Sequence, residues 1–485
     1  MVKALDPMQH LAEKRVYFQT QAPDNPPTIS LTTLGQSEMS VPMLPNTSNT
    51  MTKMYQFFIA QQQSIYQHHE QQNLKLLNQL STSYSDNKPL RALPGPKFNR
   101  QELEFLATQD QLSHYLGDWY QPIDSYHFKI RIPGPPFLLV DRVNGMKAEP
   151  DVKQCGTIWS ETDASADKWF MTHHFMPAGL MLEAIQIKLL LASWLGLDFR
   201  TQGDHVYRLL GLELIYYGGL PKLGDTLCYT TKITGHAQYE DVFLMFFESS
   251  CWVNGQLKLQ IKNGQGGFFT QHQLAKTKGG EWYPAKMVVD TSLPLDPPII
   301  HCPFTSFSRA QIKNFAQGNA ADCFGAGFER TRNHQQTPCI PGGDLLLIDE
   351  ITHFDLKGGS CKRGYMRAVK YIAPDDWFFK GHFKNDPCMP GSLMLEGCIQ
   401  LMSCYLTALG FTLDKDGWHF EPIPSRIYRG RCRGQVTPKS QQLAYELFVH
   451  SIVARPKPSI IADVICSVDH IQAFHAQFGL QLVKA

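Results

Sequence analysis

Trp377–Glu396 reads WFFKGHFKNDPCMPGSLMLE, and a shortened copy of this stretch, WFMTHHFMPAGLMLE, occupies Trp169–Glu183. The first residues of the two copies lie 208 positions apart, whereas their last residues lie 213 apart. The N-terminal copy therefore lacks five residues, and they are missing just before its Met-Pro pair. An internal duplication with one complete and one shortened copy indicates two related domains, of which only the second keeps the whole motif.

The duplication divides the chain into four predicted segments. With 485 residues, 43% of them hydrophobic, the chain is long enough for two or three domains with sizeable cores. We predict a linker rich in Gln and Ser at 1–97, a first domain at 98–275, a connecting segment at 276–303 and a second domain at 304–485. Apolar residues at helical spacing predict a helix over 51–80 in the linker, either isolated within a tether or docking on a partner.

Composition argues against several classes of protein. The formal net charge is +1, so no overall field favours nucleic acid or an anionic membrane. The twelve cysteines form no C-x-x-C pair and no His/Cys cluster, which argues against a zinc site and against a disulfide framework. The first residues lack the apolar core of a signal peptide, and no apolar run approaches the ~20 residues that span a bilayer. We expect a cytoplasmic protein.

Each domain is predicted to contain one long buried helix. Residues 176–197 and 389–409 are apolar on nearly every face, which is typical of a helix enclosed by other elements. Both begin with Met-Pro, and proline is well tolerated in a first helical turn because its missing N–H has no helical partner there. Strand patterns are predicted before these helices at 132–143 and 340–351, and after them at 226–234, 241–252, 257–270, 442–454 and 459–469.

A shorter helix is predicted to open each domain. Residues 98–107 and 307–316 are similar, and Asn99 and Ser308 are the candidate N-caps. One buried helix with several antiparallel strands predicts an α+β unit in which a sheet curls around the helix. Two such units would pair edge to edge.

The motif HFxxDPxMPGxLxLE at 382–396 resembles the active-site segment of the hot-dog-fold 3-hydroxyacyl-thioester dehydratases, most closely the 3-hydroxydecanoyl type. RCRGQVTP at 431–438 and PGGDLLLIDE at 341–350 also resemble that family. The doubled arrangement behind a Gln-rich tether is similar to the tandem dehydratase regions of multidomain polyunsaturated-fatty-acid synthases, over 98–485. The resemblance implies two fused hot-dog domains, a pseudo-dimeric double hot dog, within a larger synthase.

Elimination of water from a 3-hydroxyacyl thioester needs a base for the Cα proton, an acid for the leaving hydroxyl and a donor for the charge on the thioester oxygen. His382 suits the base, and a glutamate on the buried helix suits the acid. Burial would raise the pKa of that carboxyl while the positive end of the helix dipole would lower it, so the sequence leaves the direction open. Gly391, at the helix start, would offer its backbone N–H to the oxygen.

In the resembled family the His of one unit works with the acid of the other unit, which implies that His382 pairs with Glu183 rather than with Glu396. The mirror-image site would need a His in the first copy, but His174 lies only two residues before Met-Pro, whereas His382 lies seven before it. We therefore expect one working site, with Glu396 as the alternative acid. His173 and His174 are expected at the surface or at the edge of the core.

Other residues are candidates for contacts with substrate or carrier protein. Asp386 and Gln400 accompany the motif; Asp386 is also suited to shaping the turn, and Gln400 to packing or positioning. Arg429, Arg431 and Arg433 could bind the phosphate of a carrier's phosphopantetheine, or could instead form a solvated strand edge.

The leading hypothesis is dehydration of 3-hydroxyacyl chains on an acyl carrier protein to trans-2-enoyl thioesters. It needs no metal and no cofactor of its own, because the phosphopantetheine belongs to the carrier. Partners would be the carrier protein and other domains of a synthase, and a homodimer is an open alternative. The competing hypotheses are additional trans-2 to cis-3 isomerisation, thioester hydrolysis, which the DPxMPG segment disfavours, and a non-catalytic scaffold that binds acyl chains.

Overall fold

The computed structural model describes residues 93–149, 155–277, 279–280 and 290–484. The helix predicted over 51–80 lies outside these residues, as does nearly all of the linker predicted at 1–97.

The described residues contain eight α-helices, of which the last is the longest. The α-helices are α1 (Arg100–Thr108), α2 (Ser113–Leu116), α3 (Lys188–Trp194), α4 (Asp198–Thr201), α5 (Gln271–Ala275), α6 (Arg309–Ala316), α7 (Ala320–Phe324) and α8 (Gly391–Ala408). Further 3-10 helices lie at Asp118–Ser125, Leu180–Ile187, Glu329–Asn333, Gly343–Leu345 and Trp377–Phe379.

All the strands of the described residues belong to one antiparallel sheet. The strands are β1 (Arg142–Lys147), β2 (Gly156–Asp163), β3 (His205–Tyr216), β4 (Thr226–Tyr239), β5 (Val242–Val253), β6 (Gln256–Thr270), β7 (Glu350–Asp355), β8 (Tyr365–Tyr371), β9 (Trp418–Pro422), β10 (Ile427–Cys432), β11 (Gln442–Val453), β12 (Ser459–Val468) and β13 (Ile471–Lys484). Their order is β1-β2-β4-β5-β6-β3-β10-β13-β12-β11-β8-β7, and β9 also pairs with β13.

The strand order shows that the sheet consists of two equivalent halves. Six strands of the first domain end at β3, and the corresponding strands of the second domain follow in reverse from β10. β3 and β10 pair antiparallel, with Ile215 opposite Ile427 and Gly211 opposite Arg431. This β3–β10 junction joins the two sheets edge to edge. The predicted double hot dog, two sheets that each curl around a helix, is confirmed.

The central helix of the second half matches its prediction, but that of the first half does not. Every residue of α8 except Gly391 is buried, as expected for a helix that is apolar on all faces. In the first half, Leu180–Ile187 forms a 3-10 helix, and α-helical structure begins only at Lys188. The prediction of one continuous helix over 176–197 is therefore wrong. The segment packs directly against α8, and such tertiary contacts override local helix propensity.

Two more predictions can be compared with the structure. Asn99 and Ser308 both form capping boxes, so the two opening helices and their caps are confirmed. The strands predicted at 132–143 and 340–351 are wrong over most of their length, because β1 begins at Arg142 and β7 at Glu350.

Side chains bind the middle of these loops, whereas neighbouring strands bind their ends at Asp141 and Asp349. Arg100 Nη1 donates to the carbonyls of Leu138 and Val140 at 2.7 and 3.2 Å. Gln400, on α8, donates to the Leu345 carbonyl at 2.7 Å and accepts from the Leu347 N–H at 3.0 Å. Buried backbone groups must be paired, and these contacts pair them without a strand ladder.

Substitution of Gln400 by Leu should destabilise the protein. Both backbone groups would lose their partner in a buried place, at a cost of about 1–3 kcal/mol each. The check is the midpoint of denaturant unfolding. Ser403→Ala is the matched control, because the Ser403 hydroxyl only donates to the Ile399 carbonyl within α8, and its loss should cost far less. Equal midpoints for the two variants would contradict this role of Gln400.

Candidate active site

His382 lies in the loop before α8, and a backbone carbonyl fixes the orientation of its ring. Its Nδ1 lies 2.9 Å from the carbonyl oxygen of Cys388, and the Cys388 N–H donates back to the His382 carbonyl at 2.7 Å. Because a carbonyl oxygen can only accept, Nδ1 carries the proton and Nε2 has a free lone pair. A neutral imidazole held in this way can act as a base at Nε2.

Glu183, on the 3-10 helix of the first half, faces that lone pair. Its Oε1 lies 3.7 Å from His382 Nε2, which is too long for a direct hydrogen bond. Both side chains are buried, and neither of these two atoms has a hydrogen-bond partner among the described residues. A buried polar atom without a partner costs about 1–3 kcal/mol. Two such atoms that face each other indicate a place for the polar atoms of a ligand.

Reciprocal hydrogen bonds between the halves hold the two buried glutamates. Glu183 Oε2 accepts from Ser392 Oγ at 2.6 Å, and Glu396 Oε2 accepts from the Gly179 N–H at 3.0 Å. Gly179 and Ser392 lie 213 positions apart, as the two glutamates do, so each glutamate binds the same position of the opposite half. A Cβ on Gly179 would lie 2.8 Å from the Ser392 carbonyl oxygen, so a side chain there would push the halves apart.

Burial sets the protonation of the facing pair. It raises the pKa of Glu183 to about 7, although the Ser392 hydroxyl and the charge of Lys188 act in the opposite direction. The direction that the sequence left open is therefore upward. Burial lowers the pKa of His382 to about 3, against the hydrogen bond to the Cys388 carbonyl. Near neutral pH the site thus holds a neutral imidazole beside a carboxyl group that is substantially protonated.

A cavity of about 1020 Å³, its open mouth included, is lined by both halves of the molecule. His382 and Glu183 lie on its wall, together with Gly391 and Ser392. α8 begins at Gly391 without a side-chain cap, so the N–H groups of its first turn can bind a ligand oxygen. Apolar side chains on the wall include Leu182, Leu209, Leu212, Met394, Leu395 and Phe474.

An ion pair that sequence reasoning missed holds the His382 loop across the β3–β10 junction. Arg208, on β3, binds Asp386 with both terminal nitrogens, one of them at 2.8 Å. Its Nε donates to the Gln435 side chain at 2.7 Å. The exposed fractions of the Arg208 and Asp386 side chains are only 13% and 9%. Because a two-pronged contact also fixes orientation, Arg208 positions the loop that carries His382. The sequence offered no signal for it, since it does not show which strand of the first half borders this loop.

The shortened copy has no counterpart of this loop. His174, which aligns with His382, is exposed, and so is His173, whose Nε2 lies 3.3 Å from Cys339 Sγ. Glu396 is buried with a pKa raised to about 7 by burial, which its bond from Gly179 opposes, and it does not line the cavity. The structure thus brings His382 together with Glu183 and leaves Glu396 bound to backbone.

The remaining candidate residues lie away from the facing pair. The Gln400 amide is occupied by the backbone of Leu345 and Leu347, and Gln400 does not line the cavity. Arg429 and Arg431 are exposed on β10, where Arg429 pairs with Glu213 at 2.8 Å. Arg433 donates to the carbonyls of Leu210 and Cys432, both at 2.6 Å. Asp386 binds Arg208 and so helps to fix the loop that carries His382.

Neither a metal cluster nor a membrane-spanning helix occurs among the described residues. No group of three or more His, Cys, Asp or Glu side chains is arranged there to hold a metal ion. No helix in the same part of the chain is long and apolar enough to cross a membrane.

The model of the FabA-like domain matches this chain twice, at residues 132–262 and 340–477. The chain belongs to the FabA-like family. The two matches fall on the two halves of the sheet, and this hot-dog family is of the dehydratase type. The shortened motif and the complete one thus belong to two copies of the FabA-like domain.

A longer relative matches most of the chain. It is a polyunsaturated fatty acid synthase polypeptide of Thraustochytrium sp. (strain ATCC 26185 / S-3), and it is 32% identical over 386 residues. The match covers 77% of this chain but 25% of the relative, so the chain spans only about a quarter of the length of that relative.

Solved hot-dog structures resemble the chain more distantly. The dehydratase domain of PpsC from Mycobacterium tuberculosis, in complex with C12:1-CoA, is 10% identical; the match covers 70% of this chain and 100% of that one, with a TM-score of 0.35. The dehydratase domain from the CurJ module of curacin polyketide synthase is 11% identical, with coverages of 70% and 96% and a TM-score of 0.33. These likenesses add no detail to the site.

Loss of one partner of the buried Arg208–Asp386 ion pair should lower the free energy of unfolding much more than loss of one partner of an exposed ion pair on β3 and β10. Arg208→Met leaves the Asp386 carboxylate buried and unpaired, which should cost about 3–5 kcal/mol. Arg429→Met breaks the exposed pair with Glu213 and should cost about 0–1 kcal/mol. Denaturant unfolding of both variants is the measurement. Adding Asp386→Asn to Arg208→Met should recover part of the loss, and similar losses for Arg208→Met and Arg429→Met would contradict the positioning role of Arg208.

Proposed function

We propose that the chain removes water from 3-hydroxyacyl thioesters carried on an acyl carrier protein, as part of a fatty-acid or polyunsaturated-fatty-acid synthase. The observation that carries this proposal is the facing of His382 Nε2 and Glu183 Oε1 at 3.7 Å, both buried and without partners among the described residues. A base and an acid in this arrangement match the two proton transfers of an elimination.

The chemistry follows from the protonation states. His382 Nε2 takes the proton from C2 of the substrate, and protonated Glu183 gives its proton to the hydroxyl at C3. The C3–O bond breaks, water leaves, and the electron pair from the C2–H bond forms the C2=C3 double bond. The N–H groups at the start of α8, that of Gly391 first among them, stabilise the charge that develops on the thioester oxygen. The imidazolium then returns a proton to the Glu183 carboxylate, and the site is restored.

The carrier protein supplies the rest of the substrate. Its phosphopantetheine would bring the thioester into the cavity, and these steps use no metal and no cofactor of the chain's own. Arg429 and Arg431, which are exposed on the same face of β10, are suited to bind an acidic carrier or its phosphate. Arg433 is already engaged by backbone carbonyls and contributes less to this surface.

Replacement of either member of the facing pair should abolish dehydration. His382→Ala and Glu183→Gln should each lower kcat by about 10²–10⁴-fold, the range of general acid–base catalysis. Glu396→Gln is the matched control, because its amide oxygen can still accept from Gly179 and it should change kcat only a few-fold. The assay is a 3-hydroxyacyl thioester with analysis of trans-2 and cis-3 products, which also tests for isomerisation. An active Glu183→Gln protein beside an inactive Glu396→Gln protein would reverse the assignment.

The pH profile should fall only on its alkaline side. His382, with its pKa lowered to about 3, stays neutral over the whole range in which the protein can be assayed. Glu183, with its pKa raised to about 7, loses its proton as the pH rises through 7. We expect kcat/KM to be level between about pH 5 and 6.5 and to fall towards a tenfold decrease for each unit well above about pH 7. If Glu396→Gln removed the alkaline decrease, Glu183 would not be its source.

A further inference from the structure

A lysine lies inside the cavity on the first central helix. Lys188 is 3% exposed, lines the cavity and donates to the Gln186 side chain at 2.6 Å. Its ammonium group lies 5.2 Å from the ring centre of Tyr207 and 4.7 Å from that of Phe247. The corresponding position of α8, 213 residues further on, is Leu401. The lysine is therefore peculiar to the half that supplies Glu183.

A tyrosine hydroxyl without a partner lies on the same wall. Tyr207 is 7% exposed and lines the cavity, and its hydroxyl has no hydrogen-bond partner among the described residues. Tyr207 is the third residue of β3, where it pairs with Phe268. Phe420 is the third residue of β9 in the second half and pairs with Leu482 at the matching place. At this second position, too, the second half has an apolar residue: Phe420 lacks the hydroxyl of Tyr207.

Burial of polar groups on the wall of a cavity that holds hydrocarbon costs free energy. A buried hydroxyl or ammonium without full hydrogen bonding loses free energy relative to water, and a hydrocarbon chain offers it no partner. The π faces of Tyr207 and Phe247 compensate part of the Lys188 charge. The hydroxyl has no such compensation. A ligand oxygen between the Lys188 ammonium and the Tyr207 hydroxyl would accept a hydrogen bond from each.

We propose that Lys188 and Tyr207 form a polar subsite that binds an acceptor oxygen, a carbonyl or hydroxyl, of the thioester substrate. The proposal rests on the proposed function only in taking this cavity as the substrate site. Such an oxygen has two sources, an amide or hydroxyl of the pantetheine arm or a polar group on the acyl chain beyond C3. The subsite selects among substrates by this contact and takes no part in the proton transfers.

The experiment measures binding of unreactive, saturated acyl thioesters, so it does not depend on turnover. Three probes of equal chain length distinguish the sources: a plain S-ethyl thioester, the pantetheine thioester, and an S-ethyl thioester with a hydroxyl near the far end of the chain. The variants are Lys188→Met, Tyr207→Phe and the double variant. Thermal melting tests whether they fold, and Lys188→Met should melt at or above the wild-type temperature because it removes a buried amino group whose charged form burial disfavours.

We expect each variant to bind the plain thioester as the wild type does. Loss of one hydrogen bond should weaken binding of one oxygen-bearing probe by roughly 3–10-fold, and that probe identifies the source. Equal weakening for all three probes, or no weakening for any, would overturn the subsite. Failure of the dehydration proposal would appear separately, as wild-type protein that binds these probes but does not convert 3-hydroxyacyl thioesters.

Discussion

The structure depends on the reciprocal contact of two buried glutamates with the opposite half. Glu183 binds Ser392, and Glu396 binds the backbone of Gly179, at the place where the two central helical segments meet. Each carboxyl group accepts one hydrogen bond from the other domain, and burial raises its pKa although that bond acts in the opposite direction. The β3–β10 junction joins the sheets of the same two halves edge to edge.

From that symmetric contact the molecule builds an asymmetric site. The complete loop of the second half places His382 opposite Glu183, and Arg208 of the first half anchors the loop through Asp386. In the shortened copy the same histidine is exposed, and the second glutamate keeps only its backbone partner. The five residues that the first copy lacks thus account for the difference between the two glutamates: Glu183 faces a histidine, whereas Glu396 binds backbone.

The sequence predicted the doubled architecture, the second central helix and five of the thirteen strands among the described residues, because these signals are periodic or duplicated, but it did not predict the junction strand β3. The long apolar segments, the caps at Asn99 and Ser308 and the alternating strands after each helix depend on local pattern. The apolar runs before β1 and β7 predict strands but form loops, since buried apolar residues look alike whether a strand or a side chain such as Arg100 binds their backbone. The sequence also indicated which glutamate should face His382, through the family resemblance and the missing residues. It could not indicate Arg208, Lys188 or Tyr207, because their roles depend on contacts between distant parts of the chain.

Because both halves lie on one polypeptide, a substitution can occur in one half alone, which is impossible in a symmetric dimer. In a homodimer every substitution occurs in both protomers, so a residue that improves one site also alters the other. Here Lys188 has Leu401 as its counterpart, and Tyr207 has Phe420. Each half can therefore change at such a position without altering the other, and only the first half carries the amino group and the hydroxyl at these two positions. A duplicated gene product of this kind can specialise without first losing the architecture that two identical protomers would have to share.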